Sequence, residues 1–478
     1  MKRADWVLAL TAVAALVWVI VRAFVQAITI DEATTFVLFV QPSEPQHWIG
    51  STNNHVLNSA LMRITTRVFG VSEWSARLPA MLGAAIYIAA CYRFCRRLDG
   101  GRLLRWAALV CLAGSPFVLD YLVAARGYSL ALGSLMTALL CDPKSLRGCV
   151  AASACIGLCF AANFSFAFAC AAALGGLFLW SWRESGLSGT KLIAAYTIPA
   201  ALIALILAAP SLLNFPRNEL WYGAHSLREA FASVIESQNR HLNYLLVGVP
   251  LYRILFAAQP FLYPLFGVVT LAWGLCNWNR VPPLARLFGG AFVATVALHF
   301  AGFHLAGLLY PLDRTGIFFV PLAFGAVAVM ASLPAEGRSH WLRRAQVGVL
   351  FLVAINNLAC LRLNYFEEWG YDQDTDRVYA VLTCLNGQDG VRNAAAGWPF
   401  LSAMNFYRQT TPGKGVAEVV DERFSVPDTE VFVIDATLKP DIVEQRHLTS
   451  LWKSARTGAQ VAVPPEQLER LKGSACFQ

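Results

Sequence analysis

Two adjacent carboxylates stand where the first apolar run of this chain stops. Residues 6–29 are almost wholly apolar and lead into Ile28-Thr29-Ile30-Asp31-Glu32-Ala33-Thr34-Thr35. Ionisable side chains at a bilayer are expensive and mark function more often than topology. A carboxylate partly shielded from water can take a proton from an acceptor hydroxyl as general base. The local alternative is a helix cap: Asp31 begins a helix whose dipole favours an acid at its start. The two roles are compatible.

A polar stretch follows, Asn53-Asn54-His55-Val56-Leu57-Asn58. Its amides and imidazole are suited to hydrogen-bond a sugar or a phosphate, and a neutral imidazole is also a metal ligand. A lone loop histidine satisfied by backbone groups is the plainer account. Four arginines, Arg63, Arg77, Arg126 and Arg314, stand on the side of the membrane where cations are disfavoured. Arginine binds phosphate through two parallel hydrogen bonds. Local pairing, Asp120 with Arg126 and Asp313 with Arg314, is the alternative for each taken singly.

The elements that must position these groups are membrane helices. Of 478 residues, 57% are hydrophobic and 14% charged, and mean hydropathy is +0.51. Soluble domains carry roughly a quarter charged residues. Runs of about 20 apolar residues, enough to cross the hydrocarbon core, are expected near 6–29, 77–95, 104–121, 124–141, 147–162, 164–182, 191–212, 255–276, 285–304, 315–333 and 344–362. If Lys2 and Arg3 are cytoplasmic, alternate loops collect Arg93, Arg96, Arg97, Arg102 and Arg105, then Lys144 and Arg147, Arg183 and Lys191, Arg280 and Arg286, and Arg338, Arg343 and Arg344. One orientation satisfies every basic loop. It places the loops 30–76 and 213–254 and the C-terminal tail outside. Within the second loop, 226–246 has the pattern of an interfacial amphipathic helix.

The expected domains are a transmembrane domain, 1–362, and an extracytoplasmic α/β domain, 363–478. In the tail, 429–435 and 460–463 are strand-like, and 375–386, 399–408 and 448–458 are helix-like. The tail holds 16 acidic and 11 basic residues, so the net charge of +8 comes from the membrane part. That split is cytoplasmic loop bias, not a nucleic-acid surface. Of 12 cysteines, only Cys384 and Cys476 fall in the tail, where an oxidising compartment allows a disulfide. No ligand spacing resembles a metal site. No cofactor is expected, and a divalent-metal requirement stays open.

The ordered set ITIDEATTF, NNHVLNSALMR, FGVSEWSARLPAMLGA, FVLDYLVAARGYSLAL and PLDRTGIFFVPLAFG resembles the GT-C class of lipid-linked-sugar glycosyltransferases. The similarity is to the branch of dolichyl-phosphate-mannose protein mannosyltransferases, aminoarabinose transferases and lipopolysaccharide-core galacturonosyltransferases. It covers roughly residues 20–330. The resemblance implies Asp31 as catalytic base, with Glu32 assisting or holding the acceptor. It implies Arg126 and Arg314 as binders of the polyprenyl phosphate, and Asn53, Asn54 and His55 as the lining of the sugar pocket. The aminoarabinose pattern has a phosphate-contacting lysine here. This chain has no lysine between Lys2 and Lys144, so Arg63 is the expected substitute.

The expectation is an all-α polytopic membrane protein of the cell inner membrane with a small C-terminal α/β domain. Its implied activity is inverting transfer of a monosaccharide from a polyprenyl-phosphate donor to an extracytoplasmic glycolipid, polysaccharide or protein. The competing readings are a transporter or flippase, and a polymerase or ligase of lipid-linked glycans. Transporters set ionisable groups at mid-membrane, whereas the polar groups here gather at span ends.

Overall fold

The computed structural model describes residues 5–42, 49–216, 219–239, 248–277, 279, 281–333, 339–411, 415–424, 428–435, 438 and 440–477. Lys2, Arg3, Arg280 and Arg338 of the charge pattern, and 240–246 of the amphipathic segment, lie outside these. The described part of that segment is helical, Leu227–Asn239. Two compact units emerge. The first comprises Met1–Ile20, Trp48–Asn58 and Pro79–Arg362; the second comprises Val21–His47, Ser59–Leu78 and Leu363–Gln478.

The helices in chain order are α1 (Trp6–Val25), α2 (Ile30–Thr35, continued by a π turn Phe36–Val40), α3 (Val56–Phe69), α4 (Glu73–Arg97), α5 (Arg102–Ala113), α6 (Pro116–Val123), α7 (Tyr128–Leu139), α8 (Leu146–Ala162), α9 (Ala167–Glu184) and α10 (Gly189–Ile203). Then follow α11 (Ala209–Leu213), α12 (Leu227–Asn239), α13 (Pro250–Cys276), α14 (Pro283–Ala306), α15 (Phe319–Ser332) and α16 (Ser339–Ala359). A helix stands at each of the eleven expected spans. Among the described residues, six helical segments are long and apolar enough to cross a membrane, and a seventh is the pair α5–α6 bent by 51°. Length accounts for α7 and α8, whereas α16, with 21 residues, is long enough but falls short in apolar character. α7 has 12 residues, which at 1.5 Å per residue falls short of a core about 30 Å thick.

In the first unit, small residues let helices approach closely. A Cβ on Gly133 would lie 2.8 Å from the Gly83 carbonyl oxygen, the close contact that membrane helix pairs exploit. Pro199 interrupts α10, and Ser153 of α8 mends the ladder. Its hydroxyl donates to the Tyr196 carbonyl (2.7 Å) and accepts from the Ala200 N–H (3.1 Å). A side chain inserted beside a proline is how a spanning helix satisfies its freed backbone groups.

In the second unit, the tail forms α17 (Thr375–Asp389), β1 (Ala394–Ala396), α18 (Phe400–Thr410), β2 (Val420–Asp421), β3 (Val431–Asp435), α19 (Pro440–Gln445), β4 (Thr449–Lys453), β5 (Ala459–Val463) and α20 (Pro465–Leu471). The sheet order is β2-β1-β3-β5-β4. β1 runs parallel to β2 and β3, and β5 is antiparallel to β3 and β4. The central strands β3 and β5 are buried at every position, which explains their unbroken apolar runs. The expected helix at 448–458 is instead the edge strand β4 and a tight turn. Ser454 Oγ accepts from the N–H groups of Arg456 and Thr457 and folds β4 back onto β5, so pairing overrides local propensity. Cys384 and Cys476 form a disulfide that joins α17 to the C-terminal turn. Closing a loop of 92 residues is nominally worth about 4 kcal/mol in the chain-entropy model.

Candidate active site

The acidic pair lies in the second unit, and its two members have different surroundings. Thr29, not Asp31, caps α2. Thr29 Oγ1 accepts from the Glu32 N–H (3.3 Å), and Glu32 Oε2 accepts from the Thr29 N–H (3.0 Å). This reciprocal box is encoded by the spacing Thr-x-x-Glu, a signal the cap reading of Asp31 overlooked. Asp31 is therefore not needed as the cap. It stands half-buried in the first turn, on the same face as Thr34, whose hydroxyl donates to Ser402 Oγ of α18 at 2.9 Å.

Glu32 has no exposed surface, and Arg77 grips it with two parallel bonds: Nε to Oε1 at 2.8 Å and Nη2 to Oε2 at 2.7 Å. The remaining guanidinium hydrogens go to backbone. Nη1 donates to the carbonyls of Gln26 (2.7 Å) and Ala23 (3.3 Å), and Nη2 to that of Ala27 (2.8 Å). All five donors of Arg77 are used. They satisfy carbonyls that the end of α1 leaves without helical partners. The Phe366 ring faces the Arg77 guanidinium, 5.4 Å from its centroid. Arg77 thus ties the end of α1 to the helix bearing Asp31. Glu32 is a clamp residue with no surface for an acceptor, which revises the role expected of it. Arg63, also in the second unit, lies on α3 and is 8% exposed.

The first unit holds the other candidates. Asn53, Asn54 and His55 precede α3, and Arg126 lies in the connection from α6 to α7. The two segments are laced together. Arg126 Nη1 donates to the Asn53 carbonyl (3.0 Å), and Asn58 Nδ2 to the Ala125 carbonyl (2.8 Å). Asn54 Nδ2 donates to the Ile49 carbonyl at 2.7 Å. Glu219, from the 213–254 loop, accepts at one oxygen from Ser51 Oγ, Thr52 N and Thr52 Oγ1 at 2.8, 2.8 and 3.1 Å. The His55 ring lies 5.5 Å from that of Tyr128. Its buried Nε2 has no hydrogen-bond partner among the described residues. Burial, then the guanidinium groups of Arg126 and Arg314, hold the imidazole well below the usual histidine range. His55 is neutral at physiological pH, with one ring nitrogen left for a ligand.

Arg314 sits in the short turn Asp313–Gly316, its guanidinium 5.0 Å from the centre of the Tyr222 ring. Asp313 adopts a left-handed backbone, φ 47°, a conformation aspartate tolerates better than most residues. It is fixed by Ser237 Oγ (3.1 Å), by Tyr222 Oη (3.4 Å) and, at its N–H, by Ser233 Oγ (2.9 Å). This network orients the turn that carries Arg314.

Gly127 is the pivot of the Arg126 segment. Its φ is +75°, and a Cβ there would fall 2.2 Å from the Ala162 carbonyl oxygen and 3.0 Å from His55 Cβ. Gly127→Ala is expected to cost about 1–3 kcal/mol in stability from backbone strain and clash. Thermal unfolding of the purified variant checks this.

The sequence pointed to Asp31, Glu32, Asn53, Asn54, His55, Arg63, Arg126 and Arg314. The first unit brings Asn53, Asn54, His55, Arg126 and Arg314 together, and the second holds Asp31, Glu32 and Arg63. The sequence did not reveal Arg77 as the partner of Glu32, nor the contributions of Tyr128, Glu219 and Tyr222.

Residues 56–213 match the family model of the dolichyl-phosphate-mannose-protein mannosyltransferases. The fold is similar to that of ArnT from Cupriavidus metallidurans. Its apo crystal structure aligns with TM-score 0.54 and 14% identity over 97% of this chain and 98% of that one. The crystal structure of the same protein bound to undecaprenyl phosphate aligns with TM-score 0.50 and 14% identity, over 96% and 98%. No curated protein sequence matches. The resemblance drawn from the sequence is borne out as a family-model match and a shared fold.

Proposed function

We propose that this protein is an inverting glycosyltransferase that moves a monosaccharide from a polyprenyl phosphate to a hydroxyl of an extracytoplasmic glycolipid, polysaccharide or protein. It works in the cell inner membrane, with the loops 30–76 and 213–254 and the domain 363–478 on the outer side. The reading is carried by the cluster of Arg126, Arg314 and neutral His55, two guanidinium groups whose charge acts on one buried imidazole. Such a site suits an anionic leaving group attached to a sugar. The family-model match and the ArnT fold support it.

Asp31 takes the acceptor proton, the hydroxyl oxygen attacks the anomeric carbon, and polyprenyl phosphate leaves with the electron pair of the broken C–O bond. Arg126 and Arg314 stabilise the charge that grows on that phosphate, and electrostatic stabilisation of this kind commonly contributes most to the rate enhancement. Asn53, Asn54 and His55 line the sugar pocket, and Arg63 assists at the phosphate. Glu32, through Arg77, positions the Asp31 helix.

The test uses purified full-length protein with a panel of polyprenyl-phosphate monosaccharides, scoring released polyprenyl phosphate together with glycosylated acceptor. Arg314→Ala is expected to lower kcat by about 100-fold, the usual effect of removing one charge-stabilising donor. Activity only with polyprenyl-diphosphate oligosaccharides would overturn the donor assignment in favour of a ligase.

A further inference from the structure

Asp372 closes the short turn Gly370–Asp372 and is 2% exposed. Its Oδ2 accepts the N–H of Ile30 at 2.7 Å, and its buried Oδ1 has no hydrogen-bond partner among the described residues. The Ile30 N–H belongs to the first turn of α2, where backbone donors have no helical acceptor. The capping box serves other donors, so this one depends on Asp372. Neighbouring groups hold the same stretch. Tyr407 Oη of α18 accepts from the Ile28 N–H (2.9 Å), and the Thr375 hydroxyl reaches the carbonyls of Ile28 (3.3 Å) and Asp372 (3.0 Å). A residue some 340 positions away in sequence thus grips the backbone N–H of the residue immediately before Asp31.

We propose that Asp372 is a positioning residue for sugar transfer: its buried carboxyl accepts the Ile30 N–H and anchors the first turn of the Asp31 helix. The proposal rests on the reading of Asp31 as base. Burial foremost, and then the charges of Asp31 and Glu32, push the Asp372 carboxyl well above the usual carboxylate range, against the opposing pull of the Ile30 N–H. The charged and titratable groups around this segment are Asp31 and Glu32 on α2, Arg77 on α4, which is bound to Glu32, and Tyr407 on α18. On its own segment stand Asp374, bonded to Ser454 and 4.0 Å from Arg456, and the exposed Asp376 and Arg377. Two carboxyl groups in one site do not both ionise readily. Burial makes Asp372 the one that holds its proton more tightly than an ordinary carboxyl group.

Asp372→Ala and Asp372→Asn separate the anchor from the charge. Alanine removes the acceptor for the Ile30 N–H. Asparagine keeps it and imitates the uncharged acid. In the full-length enzyme, Asp372→Ala is expected to lower kcat by about 100-fold, the scale of a small misplacement of a reacting group, with donor KM unchanged. Asp372→Asn should restore most of the lost kcat and remove the fall in kcat expected of the wild type as rising pH ionises Asp372. An asparagine variant as slow as the alanine variant, or one that keeps that fall, overturns the proposal. Thermal unfolding against pH gives a readout independent of activity. An acid whose folded-state pKa is raised contributes stability below its unfolded pKa that is lost as pH rises towards the folded value. Wild type should therefore lose stability, relative to Asp372→Asn, as pH rises above the usual carboxylate range. Parallel curves for the two proteins overturn the uncharged state of Asp372, whereas a fully active Asp31→Asn enzyme overturns the assignment of Asp31 itself.

Discussion

Asp31→Asn is expected to lower sugar transfer by about 10²–10⁴-fold, the usual contribution of a general base, while the protein inserts and purifies normally. The substitution is clean for a structural reason. Thr29 and Glu32 supply the capping box of α2, so the Asp31 carboxylate is not needed to start the helix. Asparagine matches its size and cannot take the acceptor proton. Transfer rates of wild type and variant, measured with the same donor and acceptor and beside their unfolding temperatures, decide the matter. Near-normal turnover would remove Asp31 from the chemistry.

The second large effect is on folding. Arg77→Ala should destabilise the protein by about 3–5 kcal/mol, because truncating one member of a buried pair strands the other charge. Glu32 would keep a carboxylate with no exposed surface, and the carbonyls of Ala23, Gln26 and Ala27 would lose their donor. Arg77→Lys should rescue little, since an ammonium has three donors and cannot reproduce the two parallel bonds and three carbonyl contacts. Adding Glu32→Gln to Arg77→Ala should recover part of the loss, since the stranded charge disappears. Unfolding temperatures of the single and double variants in detergent measure all three. An Arg77→Ala protein that unfolds at the wild-type temperature would refute the clamp. Glu32→Gln alone should appear chiefly as lost stability, because its carboxylate faces Arg77 rather than an acceptor.

The sequence by itself determined what depends on near neighbours and composition. Apolar runs marked where helices form, because only a helix satisfies its own backbone in lipid. The buried strands β3 and β5 showed as continuous β-prone segments. Cys384 and Cys476 were singled out by compartment, and they are bridged. Asp31 was singled out because charges are costly at the end of an apolar run, and the capping box was written in Thr29-x-x-Glu32.

Tertiary structure decided what rests on partners far apart in the chain. Residues 448–458 carry a pattern open to helix, and only the pairing of β4 with β5 made a strand and turn of them. Glu32 and Asp31 are chemically alike neighbours. One became a clamp and the other stayed half-buried because Arg77, 45 positions on, satisfies both oxygens of Glu32. Tyr407 and Asp372 carry no local mark of their roles, since each serves one backbone N–H more than 340 residues upstream. Long-range hydrogen bonds of this kind leave no periodicity in the sequence. They exist only once folding has removed water from both partners and made each the other's means of satisfaction.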